Sequence, residues 1–162
     1  ITGGNPFEQD SILMTDLIYK LVLENFNVCI EHPGIVLDTE REFNILNLAT
    51  FVSFDMKPPS SGITKLHYHN LELKALMKEI TPISQLKCVI NTVEDLDYYE
   101  EELKDIKNCP IFLQLGCKDS MYTDDFLYTK IPLIEEIKSR LLEGRFLNCK
   151  LGIQLHKMLN FE

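Results

Sequence analysis

Leu86-Lys87-Cys88-Val89-Ile90, a helically spaced stretch over 93–106, and Ile111-Phe112-Leu113-Gln114-Leu115 together decide the fold. The two apolar runs have strand length. The stretch between them opens with acidic residues and closes with Lys104 and Lys107, which suits a helix dipole. Strand, helix, strand in this order implies parallel pairing with a crossover helix.

The alternation extends both ways from this stretch. Residues 10–24 place Ile12, Leu13, Leu17, Ile18, Leu21 and Val22 at helical spacing. Asn27-Val28-Cys29-Ile30 reads as a strand ending at Glu31-His32-Pro33-Gly34. After a less regular section, Thr50-Phe51-Val52-Ser53-Phe54 reads as the next strand, ending at Asp55. Pro58-Pro59-Ser60-Ser61-Gly62 is a loop, and 71–80 a helix. Beyond Leu115, Thr123 reads as an N-cap with Asp124 and Asp125 in the first turn. Pro132 divides that region from a helix over 133–142, and 148–155 is a last strand. No internal repeat, low-complexity tract or long linker interrupts the pattern, which predicts a single α/β domain over 1–162.

A chain of 162 residues, 45% of them hydrophobic, can bury a sizeable core as one domain. The net charge of -9 and the lack of a dense Lys/Arg stripe exclude a broad nucleic-acid surface, while leaving room for a small anionic ligand. No apolar run is long enough for a membrane span and no signal-peptide pattern opens the chain, so a soluble, cytoplasmic protein is expected. Five cysteines (Cys29, Cys88, Cys109, Cys117 and Cys149) show neither a Cys-x-x-Cys pair nor finger-type spacing. Cys29 and Cys88 lie in apolar stretches and read as small core residues. No metal ligand set is assigned. His67 and His69 form a His-x-His pair beside a helix start, with no partner set nearby. The acidic run over 94–105 reads as a solvated helix face.

In parallel α/β sheets ligands bind at the carboxyl ends of the strands. The residues placed there are Thr2 to Asn5, Glu31 and His32, Asp55 to Lys57, Asn91, Gln114 to Gly116, and Gln154 with His156. Polar groups collect at one edge while the strands themselves are apolar. The opening Ile1-Thr2-Gly3-Gly4-Asn5-Pro6 reads as a strand end running into a sharp turn, where glycine permits close backbone approach.

These edges resemble the radical S-adenosylmethionine family, and within it the 7-carboxy-7-deazaguanine synthases. Ile1-Thr2-Gly3-Gly4-Asn5-Pro6 is similar to the family's Gly-Gly-Glu-Pro turn, with Asn at the third place. Lys57-Pro58-Pro59-Ser60-Ser61 resembles its lysine-proline-serine loop. Leu86 to Ile90 with Glu94-Asp95-Leu96, and Phe112 to Gly116 with Thr123-Asp124-Asp125, resemble its next two strand ends. Gln154-Leu155-His156-Lys157 resembles its closing Gln-x-His segment.

The resemblance implies a partial (β/α) barrel, incomplete at its N-terminus. It also implies a carbon–nitrogen lyase that contracts a ring. A 5′-deoxyadenosyl radical from S-adenosylmethionine abstracts hydrogen from 6-carboxy-5,6,7,8-tetrahydropterin, and loss of ammonia gives 7-carboxy-7-deazaguanine, a queuosine precursor. Implied cofactors are S-adenosylmethionine, a [4Fe–4S] cluster and Mg²⁺, with an electron donor such as flavodoxin and a homodimer as partners. The family's three-cysteine cluster loop precedes the Gly-Gly turn. The resemblance therefore places the cluster and Mg²⁺ ligands upstream of these 162 residues, which alone are expected to be inactive.

Residue by residue, the resemblance implies cofactor contacts from Gly4, Asn5, Asp55, Met56, Lys57, Gln114, Leu115 and Gly116. Substrate contacts are implied for Thr2, Glu31, Gln114, His156 and Glu162. No catalytic residue is assigned. Asn5 has no charge to pair with the methionine ammonium. Glu31 suits the pterin's guanidine-like edge, and His156 suits its ring or carboxylate. From spacing alone, Glu31 reads equally as a solvated strand end, His156 as a packed histidine and Glu162 as a frayed terminus. Two rivals stand beside the synthase: a non-catalytic α/β domain that has lost its cluster, and another radical enzyme such as an activase.

Overall fold

The computed structural model describes residue 1 and residues 5–107, 109–116 and 125–152, with backbone alone over 125–129. Its strands are β1 Cys29–His32, β2 Phe51–Met56, β3 Ile83–Ile90, β4 Ile111–Leu115 and β5 Cys149–Gly152. They form one sheet in the order β1-β2-β3-β4-β5. β1 runs parallel to β2 with Cys29 opposite Phe51, and β4 parallel to β5 with Ile111 opposite Cys149. The helices are α1 Ser11–Leu23, α2 Thr39–Leu46, α3 Leu66–Glu79, α4 Val93–Glu102 and α5 Asp125–Leu142. This is the alternating α/β fold that the strand–helix–strand pattern predicts.

The chain packs as two compact units, Ile1–Lys57 with Ile63–Leu86, and Pro58–Gly62 with Lys87–Glu162. In the first, Ile18, Ile30, Leu46, Val52, Phe54 and Leu73 are fully buried. β2 buries Val52-Ser53-Phe54 in succession, so it is covered on both faces, as parallel strands are. In the second, Ile90, Leu96, Tyr99, Ile111, Leu113 and Ile137 make the core. α1 starts at Asp10, whose carboxylate accepts from the Ile12 and Leu13 amides. It buries Met14 and Ile18 but leaves Ile12 and Leu13 exposed. No described helix is long and apolar enough to cross a membrane.

Several local expectations are corrected. The less regular section contains α2, started by Asp38, whose side chain accepts from the Arg41 amide. Its charged interior hid it; the buried face consists of Glu42, Ile45 and Leu46. α3 begins at Leu66, so His67 and His69 sit in its first turn rather than beside it. Its N-cap is Lys65, in left-handed backbone without a side-chain cap, which no capping pattern signals. Cys29 is exposed, not core: β1 alternates, turning Ile30 and His32 inward and Cys29 and Glu31 outward. Pro132 does not divide α5, which runs unbroken through it. A proline there removes one backbone hydrogen bond, and burial of Leu133 and Ile137 holds the helix together across it. Thr123 and Asp124 lie outside the described residues, as do 153–155 of the expected last strand.

α5 is tied to α4 by Arg140, only 5% exposed. Its Nη1 donates to Asp97 at 2.6 Å and Glu100 at 3.3 Å, and its Nε to Glu136 at 2.7 Å. Burial opposes its charge, but the hydrogen bonds to Glu136 and Asp97 outweigh that and raise its pKa above the ordinary arginine value. Arg140→Ala leaves these carboxylates facing one another without their common donor. We expect it to lower the urea unfolding free energy by about 2 kcal/mol, since charge-assisted hydrogen bonds contribute about 1.5–3 kcal/mol each. A change below about 0.5 kcal/mol, the range of a featureless surface site, would show the network to be ornamental.

Candidate functional site

Each unit presents polar groups at its own strand ends. In the first, Ile1 lies along β1: its nitrogen donates to the Cys29 carbonyl, and its carbonyl accepts from the Glu31 amide at 3.0 Å. The Glu31 side chain stands on the exposed face of the strand. Behind it, on the inward face, His32 packs between Phe7 and Phe54, with ring centroids 4.9 and 5.3 Å away.

β2 ends in the opposite charges of Asp55 and Lys57. Lys57 Nζ donates to Asp55 Oδ2 at 2.7 Å, both side chains being partly exposed. Asp55 Oδ1 is buried and has no hydrogen-bond partner among the described residues. This segment is flanked closely on both sides. The Lys57 carbonyl accepts from the Asn70 side-chain amide at 2.9 Å. Gly34 sits so close to the Asp55 carbonyl that a Cβ on it would lie 1.8 Å from that oxygen. Met56 is fully buried, so its side chain belongs to the core rather than to a ligand surface.

Asn5 stands where the resemblance has a glutamate. Its Oδ1 accepts from the Phe7 amide at 3.0 Å, capping a 3-10 turn over Pro6–Glu8. The side chain that could meet an ammonium is thus occupied in starting the turn.

In the second unit the central group is Asp95, which is completely buried. Its Oδ1 accepts from the Ser60 amide at 3.1 Å. Its Oδ2 accepts from Ser60 Oγ at 2.7 Å, the Asn91 amide at 2.9 Å and the Thr92 amide at 3.2 Å. Thr92 Oγ1 in turn accepts from the Asp95 amide, closing a capping box at the start of α4. The solvated acidic face expected here is therefore wrong at Asp95, and Leu96 and Tyr99 are buried with it. An acid is stable in that position because four donors converge on it. Sequence reasoning missed this residue, although the Thr92-x-x-Asp95 spacing signals it.

The Ser60 hydroxyl also accepts from the Asn91 side-chain amide at 2.8 Å. Gly116 follows β4 with its amide donating to the Ile90 carbonyl at 2.8 Å. A Cβ on Gly116 would meet Asn91 Oδ1 at 1.9 Å, so a larger residue here must displace the Asn91 side chain. Gln114 and Leu115 are both buried at the end of β4. Lys130 Nζ donates to the Asn91 carbonyl at 3.2 Å.

Thr2, Gly4, Gln154, His156 and Glu162 lie outside the described residues. Among the described residues, no three His, Cys, Asp or Glu side chains come together as a metal site. Cys88 and Cys109 are buried, Cys29 is exposed and Cys149 half-buried. Burial pushes the Cys149 thiol up to about 11, so it is protonated at neutral pH. Cys117 lies outside the described residues. Among the described residues, two cavities lie away from the strand ends. One, of about 440 Å³, opens between α1 and α2 beside Thr15, Asp16 and Arg41. The other, of about 270 Å³, sits at the amino end of β5 beside Leu103, Phe146 and Cys149. The chain matches no family model, and no curated protein matches it.

Proposed function

We propose that the chain supplies ligand-binding residues of a radical S-adenosylmethionine lyase of the 7-carboxy-7-deazaguanine synthase kind, acting on 6-carboxy-5,6,7,8-tetrahydropterin. The observation that carries this is the Asp55–Lys57 pair at the end of β2. The amino-acid end of S-adenosylmethionine is a zwitterion. Lys57 has three donors and gives one to Asp55 Oδ2, leaving two for a carboxylate. Asp55 Oδ1, buried without a partner among the described residues, is an acceptor suited to an ammonium. With Asn5 uncharged and engaged in its cap, Asp55 takes up the positive end. Glu31 pairs with the guanidine-like edge of the pterin.

Bound S-adenosylmethionine supplies the radical chemistry, while these residues orient the ligands and exclude water. Among the described residues no three metal-ligating side chains come together, so the described cysteines do not fit a [4Fe–4S] cluster. A [4Fe–4S] cluster, Mg²⁺, an electron donor such as flavodoxin, a homodimer and a cytoplasmic location complete the proposal.

Calorimetric titration tests it. Asp55→Asn should weaken S-adenosylmethionine binding about tenfold, the equivalent of about 1.4 kcal/mol. It should leave the binding of 5′-methylthioadenosine, which lacks the amino-acid end, unchanged. Equal weakening of both ligands would mean that Asp55 shapes the segment rather than meeting the ammonium.

A further inference from the structure

His32 and Glu42 form a buried pair that none of the assignments above uses. His32 Nε2 lies 2.7 Å from Glu42 Oε2, and both side chains are fully buried. The other ring nitrogen fixes the tautomer. Nδ1 accepts from the Gly34 amide at 3.0 Å, so it bears no proton, and Nε2–H donates to Glu42. Glu42 Oε1 accepts from the Leu37 and Asp38 amides at 2.7 and 3.3 Å. The Glu42 carboxyl group thus gathers three hydrogen bonds, one from the ring and two from backbone amides.

The consequence lies in what the pair grips. Between β1 and α2 the chain is fastened at its start, where His32 holds Gly34, and at its end, where Glu42 holds Leu37 and Asp38. Gly34, at φ +81°, is thereby set against the Asp55 carbonyl, with Lys57 Cγ 3.6 Å from where its Cβ would be. His32 also lies opposite Phe54 in the parallel register, one residue before Asp55.

We propose that His32 and Glu42 are positioning residues: by pinning the segment after β1 onto the Asp55 peptide, they set the direction in which Asp55 and Lys57 meet their ligand. This rests on the proposed role of Asp55 and Lys57 toward S-adenosylmethionine. It extends that role to a ring and a carboxylate that are both closed to solvent.

The two ring nitrogens can be tested separately. His32→Gln keeps a donor near the Nε2 position for Glu42 but loses the acceptor for Gly34, whereas His32→Asn keeps an acceptor near Nδ1. In the folded His32→Gln protein, amide exchange at Gly34 should speed up and S-adenosylmethionine affinity fall, each about tenfold. His32→Asn should recover most of both. A purely structural role predicts that the two variants lose stability alike while the folded proteins bind with unchanged affinity, and that result overturns the proposal. So does unchanged Gly34 exchange in His32→Gln. If the wild-type protein does not bind S-adenosylmethionine at all, the ligand assignment fails instead. The ring itself gives an answer even where neither variant folds. Long-range ¹H–¹⁵N spectra of the wild-type protein should show the proton on Nε2, and a proton on Nδ1 overturns the proposal.

Discussion

Asp95→Ala should lower the unfolding free energy by about 3–4 kcal/mol, from the loss of several hydrogen bonds at once in a site closed to water. The carboxylate takes four donors from Ser60, Asn91 and Thr92 and is itself completely buried. Truncation strands those donors and opens a cavity at the start of α4. It also removes the capping box with Thr92, which contributes about 1 kcal/mol on its own. Asp95→Asn should be milder yet clearly destabilising, because its amide nitrogen presents N–H to neighbouring N–H donors. Urea denaturation measures both. A loss below about 1 kcal/mol for Asp95→Ala would mean that water replaces the carboxylate easily and that the site is looser than its geometry.

Gly34→Ala is expected to be the more damaging of two chemically identical substitutions. Gly34 and Gly144 both have positive φ, +81° and +72°, so alanine strains the backbone at each by about 1–2 kcal/mol. They differ in what surrounds them. The new methyl at Gly144 meets nothing within 4 Å, whereas at Gly34 it falls 1.8 Å from the Asp55 carbonyl oxygen. That oxygen belongs to backbone in β2 and cannot rotate away, so the strand end must shift. Gly34→Ala should cost about 3 kcal/mol or more and Gly144→Ala no more than about 1–2 kcal/mol, compared by thermal unfolding. Equal losses would show that the segment after β1 yields freely to the overlap.

The strands were legible because each is a short apolar run closed by a turn or charged residue, as at Phe51 to Phe54 and Ile111 to Leu115. The polar edge was legible for the same reason: Asp55, Lys57, Asn91 and Gly116 follow directly on apolar strands. What escaped was every buried acid. Asp95 read as part of a solvated face because acids usually are exposed, while Glu42 fell in a section that read as less regular. Their burial depends on donors that spacing does not bring into view, His32 being 10 residues from Glu42 and Ser60 35 from Asp95. α2 went unseen with Glu42, since a helix of 8 residues is too short to repeat its apolar stripe and its inward face includes an acid. Cys29 misled in the opposite sense: an apolar run over 27–30 concealed the alternation of a strand with one face uncovered. The close approach of Gly34 to Asp55 could not be foreseen, because the contact joins residues of two separate strand ends.

Turnover by the full-length protein tests the central claim most directly. After iron–sulfur reconstitution, the protein is given reductant, S-adenosylmethionine, Mg²⁺ and 6-carboxy-5,6,7,8-tetrahydropterin, and products are read by mass spectrometry. The account predicts 7-carboxy-7-deazaguanine with release of ammonia, and a loss of about tenfold or more in kcat/KM for Lys57→Ala at unchanged cluster content. Formation of 5′-deoxyadenosine without the ring-contracted product, or no S-adenosylmethionine cleavage at all, would contradict it.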